Sequence, residues 1–94
     1  METRGYRNIM EEIVEVLVDT LLAGPEYQTF CKCKKCRNDV VALSLNNIPP
    51  QYATTQQNRE RVYELYSKPD MRKWLNKRII SALHVVNKYP KHNI

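Results

Sequence analysis

Three cysteines lie within six residues of the chain, as Cys31-Lys-Cys33-Lys-Lys-Cys36, and they are the side chains best suited to chemistry. Thiolates are favoured ligands of structural zinc, which takes four ligands in a tetrahedron. The flanking basic side chains are Lys32, Lys34, Lys35 and Arg37. Their positive charge favours the thiolate form that a metal binds. We therefore predict a structural zinc site at Cys31, Cys33 and Cys36.

The predicted site lacks a fourth ligand, because the chain has three cysteines only. The open alternatives are His92, His84, Asp39, a water molecule or a group from another subunit. His92 follows Pro90 in a C-terminal tail that can fold back over the loop, so we place it ahead of His84. His84 lies one residue off the apolar stripe of its helix, and Asp39 is better suited to capping a helix.

Two other interpretations of the cysteines are three reduced thiols on a lysine-rich loop and a redox Cys-x-x-Cys motif. Isolated structural cysteines are usually buried, and the neighbours here are too polar for that. The redox motif normally opens a helix within a β-α-β unit, and the sequence indicates no such unit. We therefore favour the metal over both.

The elements that must position these side chains are predicted from prolines and apolar periodicity. Pro25, Pro49-Pro50, Pro69 and Pro90 divide the chain into four stretches without internal proline. No stretch alternates polar and apolar residues, and glycine-based hairpin turns are missing from the sequence. We predict an all-α fold of about four helices, with the cysteine loop before the second helix.

The first helix is predicted over Tyr6 to Ala23, where apolar residues form two overlapping stripes and acidic residues fill the remaining face. The stripes comprise Ile9, Ile13, Val16 and Leu17, and Met10, Val14, Leu17 and Leu21. The second helix, capped by Asn38 or Asp39, has almost no polar face and is predicted to be central.

The third and fourth helices follow the double proline. Thr54 or Thr55 can cap a third helix, whose narrow apolar stripe predicts a peripheral position. Pro69 and Asp70 suit the first turn of the fourth helix. The predicted inner stripe of that helix comprises Met71, Leu75, Ile79, Leu83 and Val86.

The composition excludes several classes of protein. The chain has 94 residues, enough for a single domain over residues 1–94, and a core of this size is marginal without a metal or a partner subunit. Its only glycines, Gly5 and Gly24, cannot form a GxGxxG motif or a P-loop. No apolar run is long enough for a membrane span and no signal-peptide core is present, so we expect a cytoplasmic protein. Since no nucleophile and base or carboxylate pair stands out, we do not expect an enzyme.

Charge is strongly segregated along the chain. Residues 1–30 carry a net charge of −4 and residues 31–94 carry +9. The acidic first helix is therefore expected to face solvent, or a basic surface of the same or a second subunit. The basic part permits nucleic-acid binding, but no recognition helix is evident. The basic residues of the fourth helix form an ordinary outer face: Arg72, Lys73, Lys77 and Arg78.

The segments NIMEEIVEVLV and CKCKKCRNDVVALSLNNIPPQYATT resemble the late competence development protein ComFB family. The resemblance covers residues 6–55, and its most specific part is CxCxxC followed by NDVVALSLN and a PPxY turn. It implies a small helical homodimer without enzymatic activity, which binds zinc in some members and the second messenger cyclic-di-GMP in some. Family members with the zinc cluster can use a fourth cysteine nearer the C terminus; its absence here favours His92.

The resemblance implies a zinc-stabilised dimer that senses cyclic-di-GMP and passes the signal to a partner protein. Arginine reads guanine and phosphate, and aromatic rings stack on bases. The candidate ligand-binding residues are Tyr6, Arg7, Asn8, Arg37, Tyr52, Thr54 and Thr55. Structural roles are also open to them, such as helix capping by either threonine or an ion pair of Arg7 with Glu11. The alternatives are a nucleic-acid-binding protein and a purely structural dimeric scaffold.

Overall fold

The computed structural model describes residues 5–89, and these residues form a bundle of four helices. The helices are α1 (Ile9–Leu22), α2 (Lys34–Asn46), α3 (Gln56–Ser67) and α4 (Pro69–Lys88). The remaining regular elements are a 3-10 turn (Pro25–Tyr27) and two very short strands, β1 (Arg7–Asn8) and β2 (Tyr52–Ala53). The predicted all-α class, with the cysteine loop before the second helix, is confirmed.

Helix α1 begins after Asn8, whose side chain caps it. The Asn8 Oδ1 accepts a hydrogen bond of 3.2 Å from the Met10 N–H. Glu11 and Glu12 follow in the first turn, where the helix dipole favours negative charge. The helix is shorter than the predicted range 6–23, because the residues just before Asn8 are extended and pair with another segment.

The apolar residues of α1 face the core with one exception. The buried ones are Ile9, Met10, Ile13, Val14, Val18 and Leu22. The prediction that Val16 shares this face is wrong, since its side chain is 63% exposed. Val16 is two residues from both Val14 and Val18, and a helix turns about 200° over two residues, so Val16 points away from the core.

Helix α2 begins at Lys34, earlier than the predicted caps Asn38 and Asp39 allow. The N-cap is Cys33, whose Sγ accepts a hydrogen bond of 3.5 Å from the Cys36 N–H. The predicted caps are wrong because a thiol is not among the usual capping groups, and both residues lie inside the helix. Cys33 and Cys36 consequently belong to the first turn of α2.

Helix α2 packs against both α1 and α4, which agrees with the predicted central position. Its fully buried side chains are Cys36, Val40 and Ser44. Val41 and Leu43 are only half-buried against the core. The apolar side chains of α2 therefore exceed what the core of one chain covers.

Helices α3 and α4 follow the predicted pattern. The Thr55 Oγ1 caps α3 by accepting a hydrogen bond of 3.1 Å from the Asn58 N–H, and α3 buries only Tyr66. The inner stripe of α4 is buried at Leu75, Ile79 and Leu83 and half-buried at Met71 and Val86. Although α4 is the longest of them, no helix in residues 5–89 has the length and apolar character needed to cross a membrane.

The strands β1 and β2 pair in antiparallel register, an element that the sequence analysis did not predict. Arg7 lies opposite Ala53 and Asn8 opposite Tyr52. The Asn8 Oδ1 also accepts a hydrogen bond of 2.9 Å from the Gln51 N–H. Two residues per strand are too few to produce a detectable alternation of polar and apolar side chains. The pair joins the beginning of α1 to the segment that leads into α3.

The acidic face of α1 meets arginines of the same chain. The Arg37 guanidinium of α2 lies 3.0 Å from the Asp19 carboxylate and 3.2 Å from Glu15. The Arg59 guanidinium of α3 lies 2.7 Å from Glu12. Of the arrangements expected for the acidic helix, pairing within one subunit is confirmed at these residues.

Candidate metal centre and ligand groove

Three sulfur atoms come together at the N-terminal end of α2. The Sγ atoms of Cys31, Cys33 and Cys36 all lie within 4.8 Å of one another. Cys31 is half-buried, Cys33 is exposed and Cys36 is buried. A Zn–S bond of about 2.3 Å in a tetrahedron places neighbouring sulfurs about 3.8 Å apart, so small side-chain rotations suffice for one ion to contact all three. The cysteine cluster can therefore hold a metal ion.

The loop that carries Cys31 is anchored by the 3-10 turn before it. The Lys32 Nζ donates hydrogen bonds to the carbonyl oxygens of Tyr27, at 2.9 Å, and Gln28, at 3.3 Å. The ring of Tyr27 is buried, and the ring of Phe30 packs edge-on against it at 5.1 Å between centroids. These contacts hold Cys31 beside the first turn of α2.

The environments of Cys33 and Cys36 differ, and so do their proton affinities. The N–H of Cys36, which donates to the Cys33 sulfur, lowers the pKa of Cys33. Burial raises the pKa of Cys36 to about 12. A bound divalent cation stabilises thiolates, so it would favour deprotonation of both. Metal binding at this cluster therefore releases protons and becomes more favourable as the pH rises.

The donor chemistry of the cluster fits zinc. Thiolates bind Zn²⁺ in structural sites, whereas Mg²⁺ and Ca²⁺ prefer oxygen ligands. Within residues 5–89, no histidine or carboxylate joins the three sulfurs in one group. The three cysteines would supply the sulfur ligands, and the fourth position requires a group beyond them.

The candidates predicted for the fourth ligand do not share one environment, and neither His84 nor Asp39 joins the group of three sulfurs. The His84 ring packs edge-on against Phe30, at 5.4 Å between centroids, and against Tyr27, at 6.3 Å. Asp39 forms an ion pair of 3.3 Å with Lys35, one turn before it on α2. His92 lies outside the described residues, so its role as a ligand stays a prediction.

A groove lies between the beginning of α1, strand β2 and the beginning of α3. Its volume is about 440 Å³. Its polar and aromatic lining includes Tyr6, Arg7, Glu12, Thr54, Thr55 and Arg59. The antiparallel pair of β1 and β2 holds the two sides of this groove together.

Glu12 is the centre of the charges in the groove. Its Oε1 accepts hydrogen bonds of 2.7 Å from the Arg59 Nη2 and 2.7 Å from the Tyr63 hydroxyl, and the Arg7 Nη1 lies 3.5 Å from its Oε2. The hydrogen bond from Arg59 holds the pKa of Glu12 below its usual range. Because two guanidinium groups share one carboxylate, these charged groups together carry a net charge of +1.

The structure brings most of the predicted ligand-binding residues to this groove. The four that line it are Tyr6, Arg7, Thr54 and Thr55. Tyr52 adjoins them, with its ring edge-on to Tyr6 at 6.0 Å between centroids. The Asn8 side chain is instead engaged with backbone N–H groups, as the cap of α1 and the bridge to Gln51.

Arg37 is another predicted ligand-binding residue that does not line the groove. Its guanidinium binds Asp19 and Glu15 on α1. The hydrogen bond from Arg37 lowers the pKa of Asp19. The expected ion pair of Arg7 with Glu11 is also wrong, since Arg7 pairs with Glu12, on the side of α1 that faces α3.

Glu12, Arg59 and Tyr63 are joined by hydrogen bonds at the groove and are not among the predicted residues. Arg59 and Tyr63 are four residues apart on α3, a spacing that places both on one face, and the Arg59 guanidinium lies 4.9 Å from the Tyr63 ring centroid. That spacing is a usable signal for a polar face turned toward another element. Nothing local to Glu12 distinguishes it from the neighbouring acidic residues, because its hydrogen-bond donors Arg59 and Tyr63 are 47 and 51 residues away along the chain.

A sequence model described as "Late competence development protein ComFB" matches residues 7–90 of this chain. A similar curated protein is "Competence protein ComFB" from Bacillus subtilis (strain 168), which is 39% identical over 46 residues. That match covers 49% of this chain and 41% of the relative, so it spans less than half of the relative's length.

A similar solved structure is that of the late competence protein ComFB from Bacillus subtilis. It superposes with a TM-score of 0.75 at 24% sequence identity, over 93% of this chain and 96% of that one. At this identity the likeness shows that the two chains share a fold.

Proposed function

Because the chain belongs to the late competence development protein ComFB family, we propose that it is a non-enzymatic, zinc-binding homodimer that binds cyclic-di-GMP and signals to a partner protein. The proposal of nucleotide binding is based on the groove in which Arg7 and Arg59 share the single carboxylate of Glu12. A groove with an excess of guanidinium groups favours an anionic ligand.

The lining of the groove suits a cyclic dinucleotide in three ways. Arginine binds phosphate oxygens with two parallel hydrogen bonds and also reads the O6 and N7 edge of guanine. The exposed rings of Tyr6 and Tyr52 offer faces on which a base can stack. The volume of about 440 Å³ falls within the range of roughly 300–1,000 Å³ that is usual for small-molecule sites. A phosphate in the groove would compete with Glu12 for the two guanidinium groups.

The proposal is tested by calorimetric titration of the full chain with cyclic-di-GMP. Arg59→Gln removes one guanidinium from the groove, and we expect affinity to fall by roughly 10–100-fold, the value of a charge-assisted hydrogen bond. Arg61→Gln is the matched control, because Arg61 is exposed on the same helix and does not line the groove. The proposal fails if the wild-type chain releases no binding heat, or if both variants weaken binding equally.

The metal part of the proposal assigns zinc to Cys31, Cys33 and Cys36, with His92 as the fourth ligand. Elemental analysis of the purified chain should find one zinc per subunit. His92→Ala should lose zinc to a competing chelator faster than the wild type, whereas His84→Ala should not, because His84 does not join the group of three sulfurs and its ring packs against Phe30. The reverse result would move the fourth ligand to His84.

The homodimer is supported by apolar side chains that α2 and α4 leave uncovered. Val85 is 47% exposed and Tyr89 63% exposed, and Leu43 lies with them along one cleft of about 400 Å³. Clustered apolar exposure of this kind marks association surfaces. Sedimentation should give a mass near twice 11.1 kDa, and Val85→Glu should shift the species toward the monomer. A monomeric wild type at micromolar concentration would contradict the dimer.

A second candidate function, nucleic-acid binding, is favoured by a basic surface at the α3–α4 junction. A groove of about 660 Å³ there is lined by Arg72, Lys73 and Lys77. Affinity that depends on phosphate contacts falls steeply as salt rises, because counterions are released on binding. A steep salt slope with single-stranded or duplex DNA, together with no heat from cyclic-di-GMP, would favour this second function over the first.

A further inference from the structure

The Cys33-Lys-Lys-Cys36 half of the cluster is arranged as a thiol pair at the start of a helix. We propose that hydroperoxides oxidise Cys33 and Cys36 to an intramolecular disulfide, which makes the cysteine cluster a reversible redox switch as well as a metal site. This reactivity goes beyond the proposed nucleotide and zinc binding, because it is a property of the thiols themselves.

The positions of the two sulfurs support the proposal. Cys33 is exposed, so an oxidant in solution can reach its sulfur, whereas Cys36 is 2% exposed and lies behind it in the first turn of α2. Their Sγ atoms are within 4.8 Å, and the Cys36 N–H points at the Cys33 Sγ from 3.5 Å. A disulfide requires the sulfurs to close to about 2.05 Å, which side-chain rotation within one helical turn can supply.

The reaction balances with the peroxide as the only oxidant. The Cys33 sulfur attacks the O–O bond of the hydroperoxide, takes up one oxygen as sulfenic acid and releases an alcohol, or water when the oxidant is hydrogen peroxide. The Cys36 sulfur then attacks the Cys33 sulfur, and the S–O bond breaks to release water. Two thiols and one hydroperoxide thus give one disulfide, one alcohol and one water, and a dithiol reductant reverses the oxidation.

Cys31 is the less suitable partner for Cys33. Only one residue separates them, so a disulfide between them would close a small ring under strain. Cys31 also lies outside α2, on the loop anchored by Lys32. We therefore assign the disulfide to Cys33 and Cys36, and Cys31 keeps its thiol.

Oxidation would release any bound zinc. The disulfide removes two of the three sulfur ligands, and the single thiolate of Cys31 is too few to retain the ion. This consequence rests on the proposed zinc site, but formation of the disulfide does not. The two parts can therefore fail separately.

The test is oxidation of the purified full chain with hydrogen peroxide, with and without bound zinc. Reactive thiols should fall from three to one per chain, the intact mass should drop by two hydrogen atoms, and dithiothreitol should restore both. Peptide mapping should find Cys33 joined to Cys36. Zinc release, read with a chromogenic chelator, should follow the loss of thiols.

Two variants make the assignment specific. Cys31→Ser should still form the disulfide, whereas Cys36→Ser should form none and should stop at sulfenic acid or higher oxides on Cys33. Circular dichroism before oxidation checks that each variant is folded; if Cys36→Ser is not, the peptide map of the wild type decides alone. Mapping that joins Cys31 to Cys33, a disulfide between chains, or oxidation that dithiothreitol does not reverse would overturn the proposal. A chain that forms the disulfide but binds no zinc would overturn only the zinc assignment.

Discussion

The cysteine cluster and the groove are two candidate binding regions of this chain, and they are formed in different ways. The cluster is contained in six consecutive residues, and the cap of one helix turn already brings two of its sulfurs together. The groove takes its lining from residues 5–12 and 53–59, which are brought together by the pairing of β1 with β2 and by the contact of α3 with α1. A local site of the first kind depends on one turn of chain, whereas the groove depends on the whole fold.

The two regions also differ in the charge they leave unbalanced. Three thiols ionise favourably only when a cation accompanies them, so the cluster is suited to a metal ion. In the groove, Arg7 and Arg59 meet one carboxylate, so that region is suited to an anion. The cluster is therefore a candidate cation site and the groove a candidate anion site, and we expect that substitutions can disturb the two independently.

The largest effect is expected from Cys33→Ser. The substitution removes one sulfur ligand but keeps a capping group at the start of α2, because serine is a preferred N-cap residue. A metal present at 100–1,000 times its dissociation constant stabilises the folded state by about 3–4 kcal/mol, and each kcal/mol shifts the Tm of a domain this small by about 4–8 °C. We therefore expect the Tm to fall by roughly 10–30 °C, measured by calorimetry alongside the zinc content.

The matched control for Cys33→Ser is Lys34→Ser, since Lys34 is exposed and immediately follows the cap. It should retain both the metal and the Tm within a few degrees. An unchanged zinc content in Cys33→Ser would show that the cysteine cluster is not the metal site.

The next largest effect is expected from Asn8→Ala, which disturbs the groove and leaves the cluster intact. The Asn8 Oδ1 caps α1 through the Met10 N–H and also accepts from the Gln51 N–H beside β2. Loss of a cap costs about 0.5–2 kcal/mol, and an N–H left unpaired adds to that. We expect a Tm lower by roughly 5–15 °C with unchanged zinc content.

Asn58→Ala is the control for Asn8→Ala, because the Asn58 side chain is exposed on α3. Hydrogen exchange at Gln51 should accelerate in Asn8→Ala but not in the control. If zinc were lost together with the stability of the β1–β2 pair, the two regions would not be independent.

The sequence predicted the cluster well because its information is local. The spacing of Cys31, Cys33 and Cys36 is the same however the helices pack. The buried face of α4 is likewise predicted from the periodicity of its own apolar residues. The predicted start of α2 at Asn38 or Asp39 was wrong because the Cys33 thiol caps the helix instead of these more usual capping residues.

The groove was predicted only in part, for a physical reason. The resemblance predicts four of the lining residues: Tyr6, Arg7, Thr54 and Thr55. Their proximity in space depends on the pairing of β1 with β2, which lie far apart along the chain. The role of Glu12 follows from the packing of α3 on α1, which no local pattern records. Helix propensity and apolar periodicity describe local structure, so they do not predict long-range contacts between single polar side chains.

A smaller effect, confined to acid, is expected at Glu12. The hydrogen bond from Arg59 lowers the pKa of Glu12 below its ordinary value of 4.5, so its contribution to stability is fully present above that pH. The contribution is lost as the pH falls through the lowered pKa of the folded state. We expect the Tm of the wild type to decline below about pH 4.5 more steeply than that of Glu12→Gln, in scans across pH. Parallel declines for the two proteins would show that Glu12 contributes nothing to the acid dependence.

The smallest effect is expected from Tyr63→Phe, which distinguishes the hydrogen bond that Glu12 accepts from Tyr63 from the one that it accepts from Arg59. Tyr63→Phe removes the hydroxyl that donates to Glu12 at 2.7 Å and leaves the Arg59 bond in place. The loss should be about 0.5–1.5 kcal/mol by chemical denaturation, with the zinc content unchanged. Ser67→Ala is the control, because it removes an exposed hydroxyl of the same helix, which donates to the Glu64 carbonyl oxygen, and should cost little. Because Glu12 keeps an arginine on either side, Tyr63→Phe should leave the charge of the groove and its affinity for an anion nearly unchanged. A large loss of anion affinity in Tyr63→Phe would instead mean that the hydroxyl itself contacts the ligand.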